Sequence, residues 1–474
     1  MNQALKSSRV EAVDALRGIA IFGMVLSGSI AFGDILPAWM YHAQVPPPLH
    51  QFNPVLPGIS WVDLVFPLFL FCMGAAISFS VSANMKKGFS KLQLCGIAGR
   101  RFFQLLFFAL LFQHCKAWVI SEHPSINDHL LSVFGFLLLF GQFYDAKGKQ
   151  STLVWRLLKA TSYFIGIVLL VKLPFSDGNG FDFYRSDIII VVLANMALFT
   201  GIIYVFTINR PIVRGLLLIA VAAIILSARE PSENGVKQFF YFKEIVGYSF
   251  DWAYKFYFLK YLFIVIPGTW VGDWLLIRAN EQKPTAVSTG TLLNSLFAFI
   301  LLICLLILLF ERTHLNFSFL VIIGLGLLSW MRFRDAFSLS TEQRLANAGV
   351  FLLFIGLLLE PYEGGIKKDP STFSYYFVTA GYGCWGVLLL LDFATNKLFN
   401  LVSKFFEALG RNPLVAYATG SLLILPILSI LGLRSAWDSW ATTPLLGFLK
   451  GLIFTILVSG VTILFNRYRL FWRS

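Results

Sequence analysis

Charged side chains are scarce in this chain. Asp, Glu, Lys and Arg make up 13% of its 474 residues, against 57% hydrophobic ones. A soluble globular chain carries about 25% charged residues, so the composition excludes soluble classes and makes the bilayer the solvent. Acidic residues are the scarcer sign, 25 against 38 Lys and Arg, for a formal charge of +13. The basic residues stand singly or in pairs at the ends of apolar runs rather than on one face, which argues against a nucleic-acid partner. The five cysteines (Cys72, Cys95, Cys115, Cys304 and Cys384) fall in or beside apolar runs without a CxxC or a pairing pattern. Neither a disulfide framework nor a metal site is expected from them. GxGxxG, Walker, HExxH and GxSxG motifs are missing from any usable context, so redox cofactors, ATP hydrolysis and zinc proteolysis lose support. No internal repeat or low-complexity tract is found.

What the chain has in abundance is apolar runs near the roughly 20 residues a spanning helix needs. Candidate spans lie at 12–30, 61–83, 97–119, 129–143, 152–172, 187–208, 212–228, 256–277, 291–310, 315–331, 345–360, 373–394, 413–432 and 444–466. The expected fold is an all-α polytopic transmembrane bundle of about 11–14 spans, a single domain over 1–474. The first apolar run has no small-residue cleavage site and contains Asp14 and Arg17, so it is expected to stay attached.

Loop charge orients the bundle. With the N-terminus inside, Lys6, Arg9, Lys86, Lys87, Lys91, Arg100, Arg101, Lys147, Lys149, Arg278 and Lys283 fall in inside segments, with Arg332, Arg334, Arg467 and Arg473. This alternation predicts both termini in the cytoplasm. The loop 31–60, with no Lys or Arg and six prolines, then lies outside as an irregular segment folded onto the bundle. The outside segments 120–128, 173–186 and 229–255 are long enough to join it.

Five of the six histidines (His42, His50, His114, His123 and His129) occur within the first 130 residues, near the outside face, and His314 lies in an outside turn. An imidazole serves as general base for an amine or hydroxyl, although an interfacial histidine is more often a hydrated amphipathic side chain. Ionisable groups inside spans are costly unless paired. Asp14 and Arg17 share one helix face and are readable as an ion pair. Asp63 opens the second span beside the histidine loop, where it is readable as an N-cap or as a histidine's partner. Pro67 follows one turn later, and a discontinuous helix there would line a cavity. Lys367, Lys368 and Asp369 precede a late span, as a solvated turn or as an anion or sugar site.

VDALRGIAIFGMVL, YHAQ (41–44) and PGISWVDLVFPLFLFCMGAAI together resemble the heparan-α-glucosaminide N-acetyltransferase family. IKKDPSTFSYYFVTAGYG and FEALGRNPLVAYATGS (406–421) extend the likeness to about residue 425. The resemblance implies an enzyme that takes acetyl-CoA from the cytoplasm and acetylates an amino sugar or glycan across the membrane. It implies a catalytic loop histidine near Asp63: the His-Ala dipeptide selects His42, whereas distance to Asp63 selects His50. It assigns Asp14, Arg17, Ser27 and Asn412, in or near its motifs, to the acetyl-CoA side, and Lys367, Lys368 and Asp369 to the acceptor. Arg100, Arg101, Arg332 and Arg334 are further phosphate candidates, which the positive-inside rule also explains. The chain departs from the family in starting at the first shared span, in lacking an LPGVLQR-like run within 120–143, and in exceeding its eleven or so spans. Expected surroundings are a bacterial inner membrane and its lipids, with association between copies compatible. The rival reading is a transporter or flippase for a sugar or lipid-linked glycan, with Asp14, Arg17 and Asp63 on its path.

Overall fold

The computed structural model describes residues 2–144, 153–228, 235–241, 244–245, 247–280, 289–334 and 340–473. Lys147, Lys149, Lys283 and part of 229–255 lie outside the described residues. The long helices are α1 (Asn2–Ser27), α2 (Trp61–Lys86), α3 (Lys91–His114), α4 (Ile126–Phe143), α5 (Leu153–Lys172), α6 (Ile188–Thr207), α7 (Pro211–Ser227) and α8 (Leu262–Asn280). They continue with α9 (Thr289–Glu311), α10 (Asn316–Phe333), α11 (Thr341–Tyr362), α12 (Phe373–Phe393), α13 (Lys397–Gly410), α14 (Pro413–Ile430, with a π turn at Gly420–Ile424) and α15 (Pro444–Arg467). The protein is an all-α polytopic bundle, and the strands among the described residues are the short pair Glu244–Ile245 and Tyr248–Ser249.

Every candidate span is a helix. Twelve of them are long and apolar enough to cross a membrane. The two others are α1, which carries Glu11, Asp14 and Arg17, and α7, an apolar helix of 17 residues. Helices α2, α6, α8 and α12 form the enclosed centre, while α5, α9 and α10 turn most of their residues outward. The sequences account for this, because α2 and α12 are apolar on every side and a helix of that kind is buried.

Glycines set the closest crossings. A Cβ on Gly74 of α2 would stand 2.1 Å from the Val265 carbonyl oxygen, and one on Gly268 of α8 would stand 2.2 Å from that of Phe71. Gly18 and Gly410 bring α1 and α13 together in the same way. In a membrane such contacts supply the packing that hydrophobic burial cannot, because lipid tails are as apolar as leucine.

Pro67 does not interrupt α2. The expected discontinuity is absent for a local reason. Proline removes the N–H that would bond the carbonyl one turn earlier, and the Tyr375 hydroxyl donates to that freed Asp63 carbonyl at 2.8 Å. The proline therefore becomes an anchor between α2 and α12 beside the histidine loop.

Candidate active site

The loop between α1 and α2 is irregular but tightly held. The Ser60 hydroxyl donates to the Tyr41 carbonyl at 2.6 Å, and the Ala43 amide donates to Asp63 Oδ2 at 3.2 Å. The Gln44 side chain clasps the backbone of Asp369, accepting from its amide at 2.8 Å and donating to its carbonyl. His42 thus sits between anchored neighbours, and 366–369 is drawn over the start of α2.

Asp63 is fully buried and uses its two oxygens differently. Oδ2 accepts from the Ser60 amide at 2.9 Å and completes the capping box of α2. Oδ1 is buried without a hydrogen-bond donor among the described residues. It faces His42 Nδ1 at 3.1 Å and Lys368 Nζ at 3.6 Å. The cap reading and the partner reading of Asp63 therefore coexist on one carboxylate.

His42 Nδ1 also lies 3.1 Å from the Gln44 amide, which donates to it when the ring proton is on Nε2. The other tautomer puts a proton on Nδ1, opposite the orphaned oxygen of Asp63. His42 Nε2 takes no hydrogen bond among the described residues. Burial, and then the Lys368 ammonium, push the His42 pKa from 6.5 down to about 4, against the opposing pull of Asp63. The imidazole is consequently neutral near pH 7, as a proton acceptor must be.

His50 has a different setting. Its Nε2 accepts from the Gly33 amide at 3.0 Å, and its ring packs on Tyr41 and Phe32 with centroids 4.5 and 5.2 Å away. It ties the start of the loop to its middle. His114 is buried at the end of α3, with Nδ1 at 2.8 Å from the Leu110 carbonyl and the ring stacked on Phe181. His314 lies against Phe317.

The acceptor-side candidates divide. Lys368 reaches Asp63, Asp369 contributes its backbone to Gln44, and Lys367 is held through backbone bonds with Thr372. Sequence reasoning missed Gln44, Tyr375, and the tyrosines behind Lys368. Tyr257 accepts from the Ser371 amide at 2.9 Å, Tyr376 bonds the Ser371 hydroxyl, and Tyr261 packs on Phe66 and Tyr376. The SYY run at the head of α12 is a local signal for Tyr375 and Tyr376, and YHAQ contains Gln44.

The donor-side candidates also divide. Ser27 donates to the Met24 carbonyl at the far end of α1 from Arg17, separated by ten residues or about 15 Å of helix rise. Ser27 does not line the cavity beside Arg17. Asp14 pairs with Arg17, whose Nε donates to the Gly410 carbonyl at 2.6 Å. The Asn412 amide is consumed internally, donating to the Leu470 carbonyl at 2.9 Å and accepting from the Trp472 amide at 3.0 Å.

Beside this junction lies a cavity of about 210 Å³ lined by Arg17, Arg101, Arg411 and Arg473 with Phe69 and Trp472. Arg101 Nε is buried there without a hydrogen-bond partner among the described residues. Of the other phosphate candidates, Arg332 is engaged by Asp392 at 2.7 Å and does not line this cavity. Arg411 and Arg473 were not recognised as ligand candidates; Arg411 adjoins Asn412 in the run FEALGRNPLVAYATGS, whereas only folding brings Arg473 to this cavity.

Phe69, Leu193, Pro413 and Leu414 also line a small neighbouring cavity that reaches Met24, Phe66 and Tyr417. Phe66 is one turn along α2 from Asp63. Nearby, the Tyr417 hydroxyl donates to Asp187, which lies 3.7 Å from Lys116 Nζ. Burial pushes the Lys116 pKa down. This apolar cavity of about 10 Å³ shares a wall with the arginine-lined mouth and extends to Phe66, while His42 and Asp63 do not line it.

Residues 9–275 match the family described as "Domain of unknown function (DUF5009)", and the chain belongs to that family. It is also similar to heparan-alpha-glucosaminide N-acetyltransferase of Homo sapiens, 34% identical over 98 residues, which is 21% of this chain and 13% of the relative. The match therefore spans well under two thirds of that relative's length.

Proposed function

We propose that this member of the DUF5009 family is a membrane-embedded acetyltransferase that moves an acetyl group from acetyl-CoA to an amino sugar or glycan on the opposite side of the membrane. The observation that carries this reading is the placement of a neutral His42 3.1 Å from a fully buried Asp63. The partial likeness to a named N-acetyltransferase supports the reaction class.

In this reading His42 carries its proton on Nδ1, where Asp63 Oδ1 holds it, and Nε2 accepts the proton of the attacking amine or hydroxyl. Asp63 orients the ring and stabilises the imidazolium that forms. The new C–N or C–O bond forms as the C–S bond breaks, and the leaving thiolate takes a proton in return. Arg17, Arg101, Arg411 and Arg473 are the groups that would hold the donor's phosphates. The buried Arg101 Nε, without a partner among the described residues, supports that assignment. The donor supplies a thioester, an acyl group activated for attack. His50 is given a structural role, because both of its nitrogens face loop backbone. Loop charge supports an inner-membrane protein with the arginine-lined mouth on the cytoplasmic side.

The test is acetyl transfer by purified protein to a panel of amino sugars, together with thermal stabilisation by acetyl-CoA. A ligand of the native state raises apparent stability, whereas a transporter for a glycan is indifferent to acetyl-CoA. Unchanged transfer in both His42→Ala and His50→Ala proteins would sink the histidine mechanism.

A further inference from the structure

A larger cavity lies apart from the donor mouth. It measures about 600 Å³ and runs between α1, α2, α9, α12 and α13, touching Leu26, Trp61, Leu68, Leu306, Leu390 and Phe406. Its lining is almost wholly carbon. The Tyr382 hydroxyl in its wall is already satisfied by the Leu302 carbonyl at 2.8 Å. Along α1 it extends from Leu16 to Leu26, about 15 Å of helix rise. The outward residues Phe299 and Ile303 of α9 form its outer wall. An apolar slot at this depth offers water no hydrogen-bond partners, so an alkyl chain is its natural filling.

Two further observations connect this slot to the site. Trp61 and Leu64, on either side of Asp63, turn into it while Asp63 faces His42. The loop bearing His42 also exposes a set of large apolar residues: Phe32, Trp39, Phe52, and most of all Leu49 and Val55 at 73% and 76% exposure. Val55 leads into Gly58, which packs on the last carbonyls of α9, at Leu309 and Phe310. A loop serving a free soluble sugar has no use for that surface. At a membrane interface such residues belong in the headgroup and acyl boundary.

Resting on the acetyltransferase reading, we infer that the acceptor is an amphiphile: an amino sugar carried on a lipid, with its head at His42 and its tail in the slot between α1, α2, α9 and α12. The loop's apolar residues would lie on the surrounding bilayer surface.

The experiment uses full-length protein in nanodiscs, acetyl-CoA, and two acceptors that differ only in the tail, methyl and dodecyl β-glucosaminide. A dodecyl glucosaminide with a photoreactive diazirine at the tail end serves as binding probe. The inference expects dodecyl to exceed methyl glucosaminide in kcat/KM by at least about tenfold, since each methylene removed from water contributes about fourfold. It expects Ile303→Trp/Leu306→Trp, which fills the slot, to lose that preference while acetylating methyl glucosaminide as the unaltered protein does. If that variant does not fold, Ile303→Ala/Leu306→Ala, which widens the slot, should label more weakly. Diazirine adducts should map to α1, α2, α9 and α12.

Equal turnover of the two sugars, a preference that survives the tryptophans, or labelling spread over the outward helices α5 and α10 overturns the inference and leaves the acetyltransferase reading intact. Labelling of the slot without acetylation of either sugar overturns the enzymatic reading and keeps the slot as a lipid site. Failure of both removes both.

Discussion

Replacing Lys368 with methionine should raise the pKa of His42 and carry the acid limb of the pH profile upward with it. Both groups face Asp63 Oδ1, so the ammonium is no more than about 6.7 Å from His42 Nδ1, the two distances taken end to end. At an effective dielectric near 20, two like charges at that separation repel by about 2.5 kcal/mol, or nearly two pKa units. The Lys368 and His42 side chains are 25% and 21% exposed, so screening reduces the expected shift to about one unit. The sign follows from the direction of the perturbation. His42 is held down to about 4 by burial first and Lys368 second. A base that works when neutral loses activity as pH falls through its pKa, so Lys368→Met should be the less active protein near pH 5. Burial persists, so the new value should stay below 6.5. Asp63→Asn removes the pull that raises the pKa and should move the limb the opposite way. The measurement is kcat/KM against pH in nanodiscs, paired with the rate of His42 carbethoxylation, which needs no turnover. The reasoning is refuted if both substitutions move the limb in the same direction, or if Lys368→Met leaves it in place.

His42→Gln should lower kcat by about 10²- to 10⁴-fold in a folded protein, whereas His50→Ala should keep kcat within a few-fold and lower the unfolding temperature, read by a thermal scan. Arg101→Gln should weaken stabilisation by acetyl-CoA, which for intact protein amounts to about 2.7 kcal/mol at a hundred times Kd; full stabilisation in the variant would remove Arg101 from the donor site. Gly74→Ala should cost about 1–3 kcal/mol through overpacking, because its Cβ would meet the Val265 carbonyl, while Gly96→Ala, inside α3 with nothing within 4 Å, should stabilise by about 0.5–1 kcal/mol in the same denaturation assay. Tyr375→Phe should destabilise by about 1–3 kcal/mol by orphaning the Asp63 carbonyl.

The chain's apolar runs, read one by one, located every long membrane helix, because a span must satisfy its own backbone and its signal is therefore local. The proline-rich loop, the cap at Asp63 and the Asp14–Arg17 pair were legible for the same reason, each resting on residues a few positions apart. What brings Lys368 to Asp63, Gln44 to Asp369 and Tyr375 to the carbonyl freed by Pro67 spans more than 300 positions of sequence, with no periodicity to betray it. In the sequence the His-Ala dipeptide favoured His42, whereas distance to Asp63 favoured His50. Their tertiary settings differ, since His42 faces a buried carboxylate oxygen that lacks a donor among the described residues, while His50 is turned onto its own loop. The arginine-lined mouth is likewise tertiary, assembled from α1, α3, α13 and the final residues of the chain. Sequence determined which segments enter the membrane, through the cost of unsatisfied backbone in lipid. The fold decided which charges meet there, because that depends on helix faces brought together from distant parts of the chain.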